Sequence, residues 1–347
     1  MKTCLSLSVQ SGFDDAVTEL ASLEREGLDV VFVAESYGFD SVSQLGYIAA
    51  RTEGLTIASG ILPIFSRSPT LTAMTAAGLD YVSGGRFMLG LGASGPQVIE
   101  GFHGIPYDAP LQRTREVIDI CRSVWKRDRV EHDGEMYQIP LPASSGGGTA
   151  KPLKLISHPV RERIPILVAA IGPKNVELAA EVAEAWEPIF FHPERARDVW
   201  GPSLAAGAAR RDPTLNPLEV FVSLTVAVGD DTDGLLDTVR PMLALYLGGM
   251  GARGRNFYNN LACRYGFEAE AAEIQDLYLA GKKVEAEAAV PEELIKATTL
   301  IGPEGYVAER LAAFREAGVT GILIQSVDNT PSGRRASLDA VQRLQAA

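Results

Sequence analysis

Two glycine-bearing segments and a handful of polar side chains have the types and spacing that could do chemistry in this sequence. The first segment, Gly90-Leu91-Gly92-Ala93-Ser94-Gly95, fits the G-x-G-x-x-G spacing of a dinucleotide-binding turn. Such a turn leads directly into a helix, whose first amides carry the pyrophosphate. Here Gly90 lies inside an apolar run, Pro96 follows, and the next clear helical pattern starts only near Leu111. We therefore read a strand end at which a planar ligand can approach the backbone, with a glycine-rich bend that binds nothing almost as good an account.

The second segment, Ala169-Ala170-Ile171-Gly172-Pro173-Lys174, joins an apolar run to the helical pattern Asn175–Ala185. Pro173 suits the first helical position, where its missing N–H is no loss. The amides that follow Gly172 form a positive helix end that suits phosphate, and Lys174 could add charge. An ordinary helix start with solvated amides competes; the close approach that Gly172 permits favours phosphate.

Other candidates stand alone. Ser59-Gly60-Ile61 closes a third apolar run, where glycine marks a bulge or a ligand contact; taken by itself a plain bulge is the better account. Glu35 ends the second run, and a carboxylate there reads equally as a site residue or as a cap or ion-pair partner. His103, in the loop after the fourth run, could move protons near neutral pH or serve structure. His192, beside Pro193, reads as a loop anchor, His132 as a solvated side chain beside a hairpin turn, and His158 has no assigned role. The histidines lack metal-ligand spacing and no nucleophile signature occurs, so a hydrolase is poorly supported. No carboxylate pair suggests a sugar-processing barrel.

The elements that must position these groups alternate. Candidate strands are Leu5–Val9, Val30–Ala34, Leu55–Gly60, Phe87–Leu91, Ile164–Ala169, Pro188–Phe191, Val220–Val228 and Gly321–Ser326. They are rich in Val, Ile and Leu with little polar alternation, as strands buried on both faces are. Helical patterns such as Asp14–Glu26, Thr70–Val82, Leu111–Lys126 and Asn175–Ala185 lie between them. Eight such units favour a closed (β/α)8 TIM barrel over an open doubly wound sheet, in one domain, 1–347, with insertions after strands 4 and 7 at about 128–163 and 230–300. Within the first insertion, Val130–Pro140 predicts a hairpin turning at Asp133–Gly134.

A chain of 347 residues, 46% hydrophobic, can bury a core without disulfide or metal. Cys4, Cys121 and Cys263 are far apart and odd in number, which suits a reducing cytoplasm. Leu5–Val9 is too short for a signal core, and no run spans a membrane. A net charge of −12 argues against nucleic-acid or anionic-lipid partners. Local basic spots remain at Lys151–Arg163 and Arg253–Arg255, either of which could meet an anionic cofactor.

Together the segments resemble the bacterial-luciferase-like monooxygenase superfamily, and within it the coenzyme F420-dependent branch related to methylenetetrahydromethanopterin reductase. The stretches that carry the resemblance are AESYGFDSVSQLGYIAART (34–52), TIASGILPIFSRSPTLTAM (56–74), SGGRFMLGLGASGPQVIEGFHG (83–104) and RTREVIDICRSVW (113–125). HDGEMYQIP (132–140), VAAIGPKNVELAAEVAEAW (168–186) and IGPEGYVAERLAAFREAGVTGILI (301–324) complete it. The resemblance implies a cofactor ring over the barrel mouth, backed by a bulge with a non-prolyl cis peptide at Gly60–Ile61. It implies that Gly92, Ala93 and Ser94 border the ring or the cofactor side chain, and that Ala169, Ala170, Ile171, Gly172 and Pro173 hold the phosphate-bearing tail. Glu35 stands where relatives place an acidic residue or histidine near the ring.

The implied reaction is hydride transfer between the deazaflavin and a C=O, C=N or C=C bond of a small organic substrate, with Glu35 or His103 as proton donor. Lys174, Arg253 and Arg255 are the candidate contacts for the acidic tail. The alternatives are a two-component monooxygenase using FMN and oxygen, and a non-catalytic flavin-binding protein. The resemblance leaves a homodimer open.

Overall fold

A computed structural model describes residues 1–7, 12–232 and 234–346. Its first half runs β1 (Lys2–Leu7), α1 (Phe13–Arg25), β2 (Val30–Val33), α2 (Ser41–Arg51), β3 (Thr56–Ser59), β4 (Leu62–Pro63), α3 (Pro69–Val82) and β5 (Phe87–Gly92). Then come α4 (Pro96–Gly101), α5 (Pro110–Trp125), a hairpin of β6 (His132–Asp133) and β7 (Gln138–Ile139), β8 (Ile166–Ala169), α6 (Pro173–Val182) and β9 (Ala185–Glu187). After α7 (Pro193–Ala208) and β10 (Glu219–Val228), a helical stretch carries α8 (Arg240–Ala244), α9 (Phe257–Arg264), α10 (Glu268–Leu279), α11 (Lys283–Ala288) and α12 (Glu292–Ala297). A π-helical turn, Leu245–Gly249, follows α8. The chain ends with β11 (Thr299–Gly302), α13 (Glu304–Glu316), β12 (Gly321–Ser326) and α14 (Pro331–Ala346).

Strands apolar on both faces need cover on both, and the chain supplies it by closing the sheet. In parallel register β1 pairs with β2, β2 with β3, β3 with β5, β5 with β8, β8 with β9, β9 with β10, β10 with β12, and β12 with β1. This ring of eight is a TIM barrel. Inside it, Cys4, Val30, Phe32, Ala58, Met88, Leu167, Ala185, Phe221 and Leu323 pack as one plug. The opposite strand faces meet the helices in a second, larger cluster. Helix starts follow local chemistry: Asp40 caps α2 by accepting the Ser43 amide, and Ser68 caps α3 ahead of Pro69.

Several boundaries differ from the sequence expectation. The sixth barrel strand is Ala185–Glu187, not Pro188–Phe191; the helical pattern of the preceding alanines runs on into it and masks it. Phe190 takes a left-handed backbone, φ 52°, and packs edge-on against Tyr246 rather than in a sheet. The fifth strand starts at Ile166, just after Pro165, which has no amide to donate. Of the expected first strand, Ser8 and Val9 lie outside the described residues. β11 was not anticipated: it adds to β10 at Thr225–Val228, beyond the point where β9 pairs with Glu219–Val220. A short helix, α4, follows Gly95 where none was expected before Leu111.

The expected hairpin forms, but Asp133 pairs with Gln138, so the turn occupies residues 134–137. It is docked by Glu116 of α5, which is almost fully buried and accepts the amides of Glu135, Met136 and Tyr137. His132 Nε2 lies 3.1 Å from the same carboxylate, so His132 is a partner of Glu116 rather than a solvated side chain. No helix among the described residues is long and apolar enough to cross a membrane.

The tightest point of the barrel is β3 against β5. A Cβ on Gly90 would stand 1.8 Å from the Ser59 carbonyl oxygen, and backbone cannot yield as a side chain does. Gly90→Ala is therefore expected to destabilise the fold by about 3 kcal/mol or to abolish soluble expression, which overpacking of this kind does. Urea unfolding of the purified variant checks it; a loss below about 0.5 kcal/mol would contradict this packing.

Candidate active site

The strands' C-terminal ends open at one mouth, and the expected segments gather there. After β3 the chain bulges: the Gly60 amide donates to Val33 O at 2.9 Å, and the Gly60–Ile61 peptide is cis, as the resemblance implies. Ile61 turns in against the barrel plug. A Cβ on Gly92 would meet Ile61 Cγ1 at 2.9 Å and Ala169 Cβ at 3.6 Å, so these three residues adjoin at the mouth. The G-x-G glycines thus make room first for the neighbouring strand, and a dinucleotide turn is not what they form. Ser59 is fully buried; its hydroxyl donates to Gly90 O at 2.9 Å and accepts the Gly90 amide at 2.8 Å. That hydroxyl ties β3 to β5 and is not free for a ligand. Ala93 and Ser94 are partly exposed, and Ser94 takes a left-handed backbone at φ 58°.

The second glycine segment starts α6 as expected, with Gly172 as N-cap, no capping side chain and Pro173 in the first turn. Nothing lies within 4 Å of where a Gly172 Cβ would project. Ala170 is buried, its carbonyl accepting Trp186 Nε1 at 2.8 Å. The Ile171 carbonyl faces Arg264 Nη1 of α9 at 3.4 Å, which brings to this helix start a cation that sequence spacing gave no means of finding. Lys174 is largely exposed and reaches Glu177 at 3.0 Å instead. Arg253 is paired with Asp276, and Arg255 is exposed on the same loop. The other basic stretch is turned away from the mouth: Arg161 pairs with Asp80 and donates to Phe87 O at the start of β5.

Glu35 is held rather than poised. Arg67 grips its carboxylate with two guanidinium nitrogens, one of them 2.9 Å from Oε2, and the Ser41 amide donates to it at 3.0 Å. Burial alone would push this carboxyl up, but the Arg67 hydrogen bonds, the Ser41 amide and the guanidinium charge together hold it below the usual range. At neutral pH it is an anion with its lone pairs occupied, which is unsuited to a proton donor. His103 lies edge-on to Phe102, ring centroids 5.3 Å apart, and its Nε2 is enclosed without a partner. Phe102 in turn meets Tyr37, so the loops after β2 and β5 touch at the rim. His192 is buried, its ring 3.0 Å from Glu194 and its amide donating to the Tyr265 hydroxyl, as a loop anchor.

The insertion after β10 supplies a wall that sequence reasoning did not resolve. Tyr246 and Tyr258 pack edge-on at 4.7 Å and both meet Phe190. Burial, then the neighbouring phenols Tyr246 and Tyr107, pushes Tyr258 up to about 12. Tyr107 itself stacks on Phe65 and donates to Ser94 O at 3.3 Å. Glu187, at the end of β9, was also missed, because its strand was placed three residues too late. A cavity of about 740 Å³ lies elsewhere, on the outer wall between α7 and α13, lined by Trp200, Leu204 and Ala313 among others. It touches none of these mouth residues. Among the described residues no group of three His, Cys, Asp or Glu side chains could hold a metal ion.

The chain matches the luciferase-like monooxygenase family over residues 4–321. It belongs to that family. Within the luciferase-like family it is 39% identical, over 88% of each chain, to a Mycobacterium tuberculosis protein named, provisionally, a coenzyme F420-dependent oxidoreductase. It is 26% identical to the 5,10-methylenetetrahydromethanopterin reductase of Archaeoglobus fulgidus, over 87% of this chain and 86% of that one. Among solved structures, the coenzyme F420 dependent tetrahydromethanopterin reductase of Methanopyrus kandleri superposes with a TM-score of 0.79. That likeness covers 98% of this chain and 96% of the other at 19% identity, and so is one of fold.

Removing Arg67 leaves a half-buried carboxylate unpaired, so Arg67→Ala is expected to cost about 3 kcal/mol at pH 7. Because the folded-state pKa of Glu35 is depressed, the stabilisation is fully present above the unfolded value of about 4.3 and is lost as pH falls through the lower folded value. The difference between wild type and variant in urea unfolding should therefore shrink from pH 7 to about pH 3. A difference independent of pH would contradict the pair's role.

Proposed function

We propose that this family member is a coenzyme F420-dependent oxidoreductase that moves a hydride between the deazaflavin and a C=O, C=N or C=C bond of a small organic molecule. The observation that carries this reading is the uncapped start of α6, with open space at Gly172, on the same mouth as the Ile61 bulge. The identity with the mycobacterial relative supports the choice of cofactor.

The residues present fit such a group. The amides after Gly172, with Pro173 fixing the helix start, would take a phosphate; Lys174 needs only to leave an exposed, weak pair with Glu177 to join them. Arg264 adds positive charge at Ile171. Ile61, Gly92, Ala93, Ser94 and Ala169 would border the ring, while Ser59, Gly60 and Ala170 hold the backbone that shapes its bed. The deazaflavin supplies the hydride chemistry; the protein positions it, keeps out water and manages the proton. Glu35 orders Arg67 and the loop carrying Tyr37 at the rim of the mouth, and His103 stands on the loop that meets it, with its Nε2 enclosed.

The reading includes a single barrel unit with its two insertions, a cytoplasmic setting consistent with three free cysteines, and assembly as a homodimer. The dimer reading rests on α3, which exposes Leu71, Met74, Tyr81 and Val82. Met74→Glu should convert dimer to monomer in analytical ultracentrifugation; a wild-type monomer would remove this part.

The cofactor reading is tested by titrating the purified protein separately with coenzyme F420 and FMN. Coenzyme F420 should bind more tightly, and Gly172→Asp, folded by circular dichroism, should bind it roughly tenfold more weakly or worse, since an anion is set against an anion at a helix start. Unchanged affinity in the folded variant would reject the phosphate site. Tight FMN binding without coenzyme F420 binding would favour the oxygen-using alternative.

A further inference from the structure

The mouth contains a carboxylic acid that neither the cofactor bed nor the Glu35–Arg67 pair uses. Along β9, Trp186 faces the outer layer: its indole donates to Ala170 O at 2.8 Å and lies edge-on to Trp200 at 5.3 Å. Strand alternation then turns both neighbours inward. Ala185 belongs to the barrel plug, and Glu187, one step nearer the mouth, faces the lumen above it. In register it stands beside Ala169, which adjoins Ile61 and Gly92. Glu187 thus shares a quadrant of the mouth with the bulge.

Its surroundings are bare. The inward positions on the adjacent strands are Leu167 and Ala169 of β8 and Phe221 and Ser223 of β10, none of which ionises in the working range. From β1 the facing titratable group is Cys4, a buried thiol whose own pKa burial pushes up. The other lumen charges, Lys2 and Glu219, pair with each other at the N-terminal ends of their strands. Burial alone acts on the Glu187 carboxyl, which is pushed up to about 7, while the residue as a whole is only partly buried. A carboxylate kept for structure normally has donors, as Glu35 and Glu116 do. Glu187 has no hydrogen-bond donor among the described residues, and a carboxyl so placed and balanced near neutrality suits general acid–base work. On the next strand the Ser223 hydroxyl is buried without a partner, a second polar group that a bound molecule would satisfy.

We propose that Glu187 gives and takes the proton that accompanies hydride transfer, a role that rests on the reading of the protein as a deazaflavin-dependent oxidoreductase. In the reducing direction the substrate carbon gains a hydride supplied by the reduced deazaflavin, a C–H bond forms, and the π electron pair moves to the other atom of the double bond, an oxygen, a nitrogen or, in an enone, the α-carbon conjugated with its carbonyl. The Glu187 O–H bond breaks and its proton goes to that atom; the carboxylate recovers a proton from water at the mouth. In the oxidising direction the carboxylate takes the hydroxyl or amine proton as the hydride leaves.

The test is infrared difference spectroscopy of the protonated-carboxyl band from pH 5 to 9, on wild type, Glu187→Gln and Glu187→Asp, each with and without coenzyme F420. The expected result is one carboxyl titrating with a midpoint near 7 in wild type, retained in Glu187→Asp and lost in Glu187→Gln, that moves upward when coenzyme F420 binds. By linkage, the wild-type dissociation constant for coenzyme F420, relative to that of Glu187→Gln, should rise about threefold from pH 6 to 8. With reduced coenzyme F420 and a panel of small ketones, aldehydes and enones, Glu187→Gln should lower kcat about a hundredfold while cofactor affinity changes by no more than about threefold. A panel without turnover leaves the decision to the infrared arm. An ordinary carboxylate midpoint, a band indifferent to coenzyme F420, or unchanged kcat overturns the proposal. If the midpoint lies near 7 but wild type does not bind coenzyme F420, the functional reading fails instead.

Discussion

The approach of β3 to β5 is the contact on which the mouth depends. Where Gly90 would carry a Cβ, the Ser59 carbonyl already stands, and the Ser59 hydroxyl closes two hydrogen bonds to the same glycine. Beyond this contact the chain bulges at Gly60–Ile61 and pairs again with β5 at Leu62–Pro63. The bulge throws Ile61 into the lumen, where Gly92 leaves space for it and Ala169 flanks it. From Ala169 the strand register carries the same surface to Glu187. On the proposed reading this surface is the floor for the cofactor ring, with Glu187 as the acid beside it.

Around that floor, charge is placed with different degrees of freedom. Glu35 is fully committed: two guanidinium nitrogens and an amide hold it as an anion and make it a strut for the loops after β2 and β4. The start of α6 is the reverse, with uncapped amides and open space before them. Glu187 lies between these extremes, partly buried and, among the described residues, with no donor to hold its charge. Two carboxylates at one mouth thus have opposite tendencies, the pattern by which one site separates an electrostatic support from a proton carrier.

The barrel was legible because strands apolar on both faces, alternating with helices, admit few arrangements. Seven of the eight ring strands lie where apolar runs mark them, and the α6 start is announced by Gly172-Pro173. What escaped were features that local pattern does not encode. Three residues of strand, Ala185–Glu187, are too few to break a helical pattern, so the inward position of Glu187 was hidden with them. The partnership of Glu35 with Arg67 joins residues 32 apart, and that of Ile171 with Arg264 joins residues 93 apart. The glycines Gly90 and Gly92 were recognised as significant, but their reason is a neighbouring strand, which sequence spacing alone presents identically to a ligand.

The central claim is that this mouth, and not the apolar cavity on the outer wall between α7 and α13, receives the cofactor. A crystal structure of the protein grown with coenzyme F420 tests it most directly. The account predicts the phosphate on the amides following Gly172 and the ring against Ile61 and Gly92, with Glu187 facing the space beside it. A ring seated in the outer cavity, or a phosphate remote from α6, would contradict it.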